Sequence, residues 1–126
     1  MDEDELLDAL RQELRRGSVV LASLVALEQP GYGYGLLEAL ERAGFPVAAN
    51  TLYPLLRRLE SQGLLTSEWD TSEARPRKFY RTSPHGIRIA RLLRSEWSAI
   101  DLALTALTTG MPGRSKKPKD EKEGRP

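Results

Sequence analysis

The fold is decided by residues 50–60, which read Asn50-Thr51-Leu52-Tyr53-Pro54-Leu55-Leu56-Arg57-Arg58-Leu59-Glu60. Four leucines of this stretch, at positions 52, 55, 56 and 59, recur at helical spacing and predict one buried stripe. Pro54 is tolerated only near the start of a helix, which sets that start within a residue or two of Asn50. We therefore predict a helix over residues 48–62, ended by Gly63.

The polar residues of this helix lie on a different face. Asn50, Tyr53 and Arg57 follow the i, i+3, i+7 spacing, with Thr51, Pro54 and Arg58 beside them. A helix that enters the major groove of DNA presents hydrogen-bonding groups and cations near its N-terminus in this way. Arginine suits guanine edges or phosphates. The alternative is that these are ordinary solvated side chains.

After Gly63 the pattern changes from helical spacing to alternation. Residues 65–69 and 77–82 are rich in aromatic and hydroxyl side chains and predict two strands, joined by the polar residues 70–76 into a β-hairpin. Arg75, Arg77 and Lys78 lie at its tip and on its second strand. These cations are placed to straddle a phosphate backbone or to reach into a minor groove.

Three further helices are predicted before residue 48. Residues 3–16 are amphipathic, with acids in the first turn where the helix dipole favours them. Residues 18–28 are apolar on nearly every side, which indicates a central position in a small domain. A turn over residues 31–35 then leads into a short helix that is closed by Gly44 and Pro46.

The last predicted helix is long. Ser83 and Pro84 give it an N-cap and a favoured first residue, and it can run to Leu107, about 36 Å at 1.5 Å per residue. Its apolar positions are spaced 4, 3, 4, 3, like a heptad seam that needs a partner helix. The seam consists of Leu93, Trp97, Ile100, Leu104 and Leu107. We therefore expect a homodimer whose two-fold symmetry sets two DNA-reading helices about 34 Å apart.

These elements predict a mainly α fold with a small β-hairpin: a winged helix-turn-helix domain plus a long C-terminal dimerisation helix. Four segments are expected along the chain. They are an N-terminal helix at the dimer interface (1–16), the DNA-binding domain (17–82), the dimerisation helix (83–109) and a disordered basic tail (110–126).

The charge of the chain is divided between segments. The net charge is +1, yet residues 46–94 hold nine Lys and Arg against four acids, whereas residues 1–45 hold four Arg against nine acids. Such asymmetry is the pattern expected of a polyanion-binding protein. The basic segment contains both the helix over residues 48–62 and the hairpin.

Composition excludes several other classes. The chain has no cysteine and one histidine, so disulfides, thiolate metal sites and a cysteine nucleophile are excluded, and no metal or cofactor is expected. No carboxylate pair is placed for acid–base chemistry, so we predict that the chain is not an enzyme. It has neither a signal peptide nor an apolar run of about 20 residues, which predicts a cytoplasmic protein with no membrane partner.

Several motifs together resemble those of the PadR family of transcriptional regulators. They are Pro30-Gly31-Tyr32-Gly33-Tyr34, the whole of residues 50–60, Gly63-Leu64, and Arg75-Pro76-Arg77-Lys78-Phe79-Tyr80. The resemblance covers roughly residues 15–107. It implies a bacterial or archaeal repressor-type regulator that dimerises through its C-terminal helix and binds a palindromic operator near promoter elements.

The resemblance also implies particular contacts. DNA contacts carry over to Thr51, Tyr53, Pro54 and Arg57 in the recognition helix, to Tyr34 at the start of the preceding helix, and to Arg77 and Lys78 in the wing. Leucines of the N-terminal helix supply the second half of the dimer interface: Leu6, Leu7, Leu10 and Leu14. The sequence departs from the family at the entry to the last helix, where Thr82-Ser83-Pro84-His85-Gly86 replaces Leu-Thr-x-x-Gly. A single C-terminal helix indicates the short subfamily.

Trp97 allows two interpretations. It is either packing within the dimer seam or one wall of a gap between protomers in which a flat aromatic or cationic compound stacks. Glu96-Trp97-Ser98 resembles the segment through which the multidrug-binding branch of the short PadR proteins contributes a tryptophan to such a pore. For the whole chain, the alternative to an operator-binding regulator is a winged-helix adaptor that binds proteins and has lost specific DNA binding.

Overall fold

The structure, a computed structural model, describes residues 1–110. The elements follow in the order α1 (Glu3–Arg16), α2 (Val19–Ala26), β1 (Gly31–Tyr32), α3 (Gly33–Arg42), α4 (Ala49–Ser61), β2 (Leu65–Asp70), β3 (Arg77–Thr82) and α5 (Pro84–Thr109). This order confirms the predicted fold class, mainly α with a hairpin and a long C-terminal helix. Apart from Gly110, the tail predicted over residues 110–126 lies outside the described residues.

The chain divides into two compact units, the first of which is Met1–Arg91 and the second of which begins at Leu92. The first unit holds α1 to α4, the sheet and the first turns of α5, and the described part of the second unit is the remainder of α5. Within residues 1–110, no helix combines the length and apolar character needed to cross a membrane.

The sheet has one strand more than the predicted hairpin. Gly31 and Tyr32 pair antiparallel with Tyr80 and Phe79 of β3, so the strand order is β1-β3-β2. The prediction that residues 31–35 form a turn was therefore wrong, because β1 covers the first two of them and α3 already begins at Gly33. A two-residue strand is too short to show alternation, and its pairing depends on the free edge of β3, which is distant in sequence.

Leucines dominate the core of the first unit. Leu24, Leu52, Leu56, Leu59 and Leu65 are buried almost completely. Three of them come from the stripe predicted on α4, but the fourth member of that stripe, Leu55, is only half-buried. The expectation that all four face the core was wrong at Leu55, which lines an open cleft instead.

The predicted start of α4 is confirmed. α4 begins at Ala49, with Ala48 as its N-cap, and Pro54 lies in its second turn. Proline there removes the backbone donor that would bond to the carbonyl of Asn50, so α4 has one helical hydrogen bond fewer near its N-terminus. Two ends differ slightly from prediction, since α2 ends at Ala26 and α5 continues to Thr109.

Thr82, at the end of β3, is buried and bonded to α2. Its side-chain hydroxyl donates to the carbonyl of Leu24 at 2.7 Å, and its backbone N–H donates to the carbonyl of Leu27 at 2.9 Å. The Thr82 hydroxyl is thus satisfied in the interior. These two bonds attach the sheet to the end of the central helix.

Ser83 continues the same junction toward the end of α4. Its hydroxyl donates to the carbonyl of Gly63 at 2.6 Å and accepts the N–H of Gly86 at 3.0 Å, which confirms the predicted N-cap. Its own N–H donates to the carbonyl of Leu64 at 3.0 Å. A Cβ at Gly86 would collide with that same carbonyl, so α5 can approach the end of α4 closely only with glycine there.

The Thr82 hydroxyl is expected to stabilise the fold measurably. Thr82→Val keeps the shape and β-branching of the side chain but leaves the Leu24 carbonyl without this donor, which should lower the free energy of unfolding by about 1–3 kcal/mol. Thr66→Val is the matched control, because Thr66 is exposed and its hydroxyl makes only a 3.4 Å contact with the Arg81 carbonyl. Urea unfolding at one protein concentration measures both variants. Equal losses in the two would contradict a special role for Thr82.

Candidate nucleic-acid interface

The polar face predicted on α4 is exposed. Asn50, Thr51, Pro54, Arg57 and Arg58 are all open to solvent, whereas the buried leucines occupy the opposite side of the helix. The face therefore offers an amide, a hydroxyl and two guanidinium groups along the first two and a half turns. This combination suits hydrogen bonding to base edges and phosphates.

Tyr53, on the same helix, is half-buried because its ring lies against the start of α3. A Cβ built on Gly33 would stand 2.5 Å from Cε1 of the Tyr53 ring, so only glycine leaves room for this contact. The neighbouring Tyr34 is 66% exposed, and the Glu38 carboxylate one turn along α3 raises the pKa of its hydroxyl. The structure thus brings Tyr34 and Tyr53, separated by 19 positions in the sequence, to the same end of α3 and α4.

Arg77 in the wing, the β2–β3 hairpin, is held by its neighbours. Its guanidinium lies 4.1 Å from the ring centroid of Tyr32 and 3.5 Å from the carboxylate of Glu73. The Tyr32 hydroxyl donates to Asp70 at 2.5 Å. Hydrogen bonds from Ser72 and from Tyr32 lower the pKa of Asp70 to about 2. This cluster fixes the outer half of the wing to β1.

Lys78 is turned toward α4. Its ammonium lies 3.3 Å from Oε1 of Glu60, and the Ser67 hydroxyl donates to the other carboxylate oxygen at 2.5 Å. The hydrogen bond from Ser67 lowers the pKa of Glu60, and the nearby ammonium of Lys78 lowers it further. Lys78 therefore joins the wing to the recognition helix in this structure, and its contact with DNA stays a prediction.

Arg75, the remaining wing cation, is exposed near the tip of the hairpin. Within residues 1–110, neither it nor Arg57 or Arg58 forms an ion pair. By contrast, three of the four acids between residues 46 and 94 are engaged in the contacts just described: Glu60, Asp70 and Glu73. The exposed face of α4 and the wing tip thus carry three of the unpaired cations of this segment, and the others, Arg81, Arg88, Arg91 and Arg94, lie on β3 and α5.

Trp69 is a candidate that the sequence reasoning missed. It stands opposite Lys78 in the β2–β3 register, on the strand face that also carries Ser67 and therefore looks toward α4. The indole is 64% exposed, and the Lys78 ammonium lies 6.0 Å from its ring. Counting alternate residues outward from the buried Leu65 would have placed Trp69 on this face, beyond the core.

Two apolar helix faces are exposed in addition. On α1, the leucines at positions 6, 7, 10 and 14 are between 48% and 79% exposed. On the part of α5 in the second unit, the predicted seam is exposed by 47–58% at Trp97, Ile100, Leu104 and Leu107, and Leu93 is half-buried. Exposed apolar stripes of this size mark surfaces that associate with other molecules.

No metal centre is formed in the part of the chain that the structure describes. No group of three or more His, Asp or Glu side chains there is placed to hold a metal ion.

Comparisons with known proteins agree with this geometry. Residues 20–92 match the model of the transcriptional regulator PadR-like family. The transcriptional regulator Rv3488 of Mycobacterium tuberculosis is 41% identical over 76 residues, which cover 60% of this chain and 71% of that protein.

Solved structures show the same fold. A PadR family transcriptional regulator from Eggerthella lenta superposes with a TM-score of 0.78 at 46% identity, covering 83% of this chain and 94% of that one. A PadR-like transcription factor from Bacteroides fragilis gives a TM-score of 0.67 at 28% identity, over 79% of this chain and 98% of that one.

Gly33 and Gly35 form a matched pair for testing the Tyr53 contact. Gly35→Ala places its methyl group in open space and should stabilise α3 by about 0.5–1 kcal/mol. Gly33→Ala drives a methyl group into the Tyr53 ring and should destabilise the protein by about 1–3 kcal/mol while displacing the ring. Urea unfolding and the near-ultraviolet tyrosine signal report both effects. If the two alanines behave alike, Tyr53 is not held against Gly33.

Proposed function

Because this chain belongs to the transcriptional regulator PadR-like family, and is therefore a DNA-binding regulator of transcription rather than an enzyme, we propose that it is a homodimeric repressor of a palindromic operator. The observation that carries the proposal is the exposed face of α4, which is polar and bears two cations that form no ion pair within residues 1–110. The regulator acts in the cytoplasm of a prokaryotic cell, at the nucleoid when it is bound to DNA. It needs no cofactor.

Recognition proceeds through α4 in the major groove. Asn50, Thr51 and Arg57 reach base edges, and Tyr53, Pro54 and Arg58 contact the adjoining sugar and phosphate groups. Tyr34 reaches the backbone from the start of α3. The wing follows the next phosphates through Arg75 and Arg77, with Lys78 and the exposed Trp69 on the side that faces α4.

Dimerisation uses the two exposed apolar faces. Residues 1–16 and the dimerisation helix of residues 83–109 cover one another between protomers, which removes their leucines from water. Leu7, Leu10 and Leu14 form one side, and Leu93, Trp97, Ile100 and Leu104 form the other. Two-fold symmetry then matches the palindrome, with each DNA-binding domain of residues 17–82 on one half-site. A dimer at promoter elements excludes the polymerase, which is the basis of the repressor role.

The same dimer interface also binds a small ligand beside Trp97. Trp97 is 58% exposed in the single chain and is the only tryptophan on α5. In the dimer, this residue and its symmetry mate flank a gap in which a planar aromatic compound stacks. Binding there changes the separation of the two DNA-binding domains and shifts the population away from the operator-competent dimer, relieving repression.

Arg57 should carry a measurable share of operator affinity. On a duplex from the intergenic region beside its own gene, selected by footprinting, Arg57→Ala should weaken binding by about 1–3 kcal/mol and relax specificity at the base pair that Arg57 contacts. Arg88→Ala is the matched control, because Arg88 is exposed on α5 and is not among the residues proposed to contact DNA. Titrations at several salt concentrations measure both. A shallow slope without sequence preference would favour the alternative function, a protein-binding adaptor.

The dimer seam can be tested with one charge in two places. Leu104→Glu places a carboxylate on the seam and should convert the dimer to monomer, because burying an unpaired charge is costly. Leu102→Glu places the same charge on another side of the same helix, where the leucine is 70% exposed. Sedimentation equilibrium over a range of concentrations measures the mass of each. A dimer that survives Leu104→Glu would contradict the proposed seam.

Planar compounds should quench one tryptophan only. In the wild-type protein, a panel of planar aromatic compounds should quench the emission of Trp97 and release the operator duplex, since stacking places the ligand on the indole. In Trp97→Phe, the emission of the remaining Trp69 should not change. Trp97→Phe should abolish the release. Unchanged emission and unchanged operator affinity across the panel would remove the ligand from the proposal.

A further inference from the structure

A cleft of about 650 Å³ opens in the first unit between α1, the start of α2, the 45–48 loop and the recognition helix. Its size lies in the range of small-molecule sites. Its α1 residues, Gln12, Arg15 and Arg16, lie in the segment assigned to the dimer interface, but none of the apolar side chains proposed for that interface lines it. It is therefore separate from the ligand gap proposed at Trp97.

The charge of this cleft has one sign. Arg15, Arg16 and Arg58 line it, and no aspartate or glutamate does; Gln12 and Thr51 are its only uncharged polar residues. Arg15 donates to the carbonyl of Gly44 at 2.8 Å, which holds its guanidinium in place. Arg16 and Arg58 form no ion pair within residues 1–110. Glu41 lines an adjoining depression that shares Gln12 and residues 46–48 with the cleft. The cleft itself presents three guanidinium groups, which are suited to a carboxylate.

The remainder of the wall is apolar and mostly aliphatic. Val20, Val47 and Leu55 are half-buried here, although helical spacing had predicted Leu55 for the core. The one aromatic ring is that of Phe45, and the guanidinium of Arg15 lies over it at 5.5 Å from its centroid. The cleft thus offers branched aliphatic surface to the body of a ligand and arginines to its head.

We propose that this cleft binds the anion of a free medium-chain fatty acid, with the alkyl chain against Val20, Val47 and Leu55 and the carboxylate between Arg16 and Arg58. One wall is the recognition helix itself, since Thr51, Pro54 and Arg58 belong to the face assigned to DNA. A bound carboxylate neutralises Arg58 and repels the nearby phosphates. The effect on DNA rests on the proposed function; the binding site does not.

Decanoate, kept below its micelle concentration, is the probe. Titration of the full chain, followed by amide chemical shifts and calorimetry, should give one site per protomer with a dissociation constant of about 0.1–1 mM. Decyltrimethylammonium has the same alkyl chain with the opposite charge and should not bind. Val47→Glu introduces an acid into the cleft wall and should abolish decanoate binding.

Two arginines of α1 supply a matched pair. Arg16→Gln should weaken decanoate binding about fivefold, because one charge-assisted contact is lost. Arg11→Gln should leave it unchanged, because Arg11 pairs with Asp8 and lies outside the cleft. Circular dichroism shows whether each variant is folded. Three results would overturn the site. They are unchanged decanoate binding by Val47→Glu, equal binding of decyltrimethylammonium, and a dimer that binds no decanoate because a second copy of the chain fills the cleft.

The consequence for DNA is measured separately. Saturating decanoate should lower the affinity of the wild-type protein for its duplex about tenfold. It should not change the duplex affinity of Val47→Glu. If decanoate binds in the cleft but duplex affinity does not change, the coupling is wrong and the site stands. If the protein binds no specific duplex even without decanoate, the proposed function fails, and the decanoate titration still decides the site.

Discussion

Two adjacent buried hydroxyl groups hold the DNA-binding unit together. Thr82 bonds to the end of α2, and Ser83 bonds to the loop that follows α4 while it caps α5. The end of α2, the loop after α4, the second wing strand and the start of α5 therefore meet at one point of the chain. A buried hydroxyl that loses its partner costs far more than an exposed one, so this junction constrains where the recognition helix and the wing can lie.

Two further contacts carry that constraint outward to the surface. Glu60, near the end of α4, accepts bonds from Ser67 and Lys78 and so joins the helix to both wing strands. Tyr53 packs on Gly33 and joins the helix to α3. The contacts of Glu60 and Tyr53 thus fix the shape of the surface that carries the exposed arginines. The near-neutral net charge conceals this arrangement, because the acids of the chain lie mainly in residues 1–45 or are already paired.

The sequence predicted the parts of the fold that local patterns determine. Leucine spacing and Pro54 placed α4, alternation placed β2 and β3, and Ser83-Pro84 placed the start of α5. The errors arose where distant residues decide: β1 exists only because β3 has a free edge, and Leu55 is left at a cleft by the position of α1. The exposed cations were predictable as a group. The ion pair between Lys78 and Glu60 and the position of Trp69 on the side of the wing toward α4 were not, because both depend on how the wing packs against α4.

The central claim, that a dimer reads DNA through two copies of α4, is tested most directly by methylation protection of guanine N7 on the bound operator. N7 lies in the major groove, so a helix that occupies this groove shields it. We expect two clusters of protected guanines, related by the palindrome and centred about 10 base pairs apart. Protection of a single cluster, or protection spread evenly along the duplex, would contradict the claim.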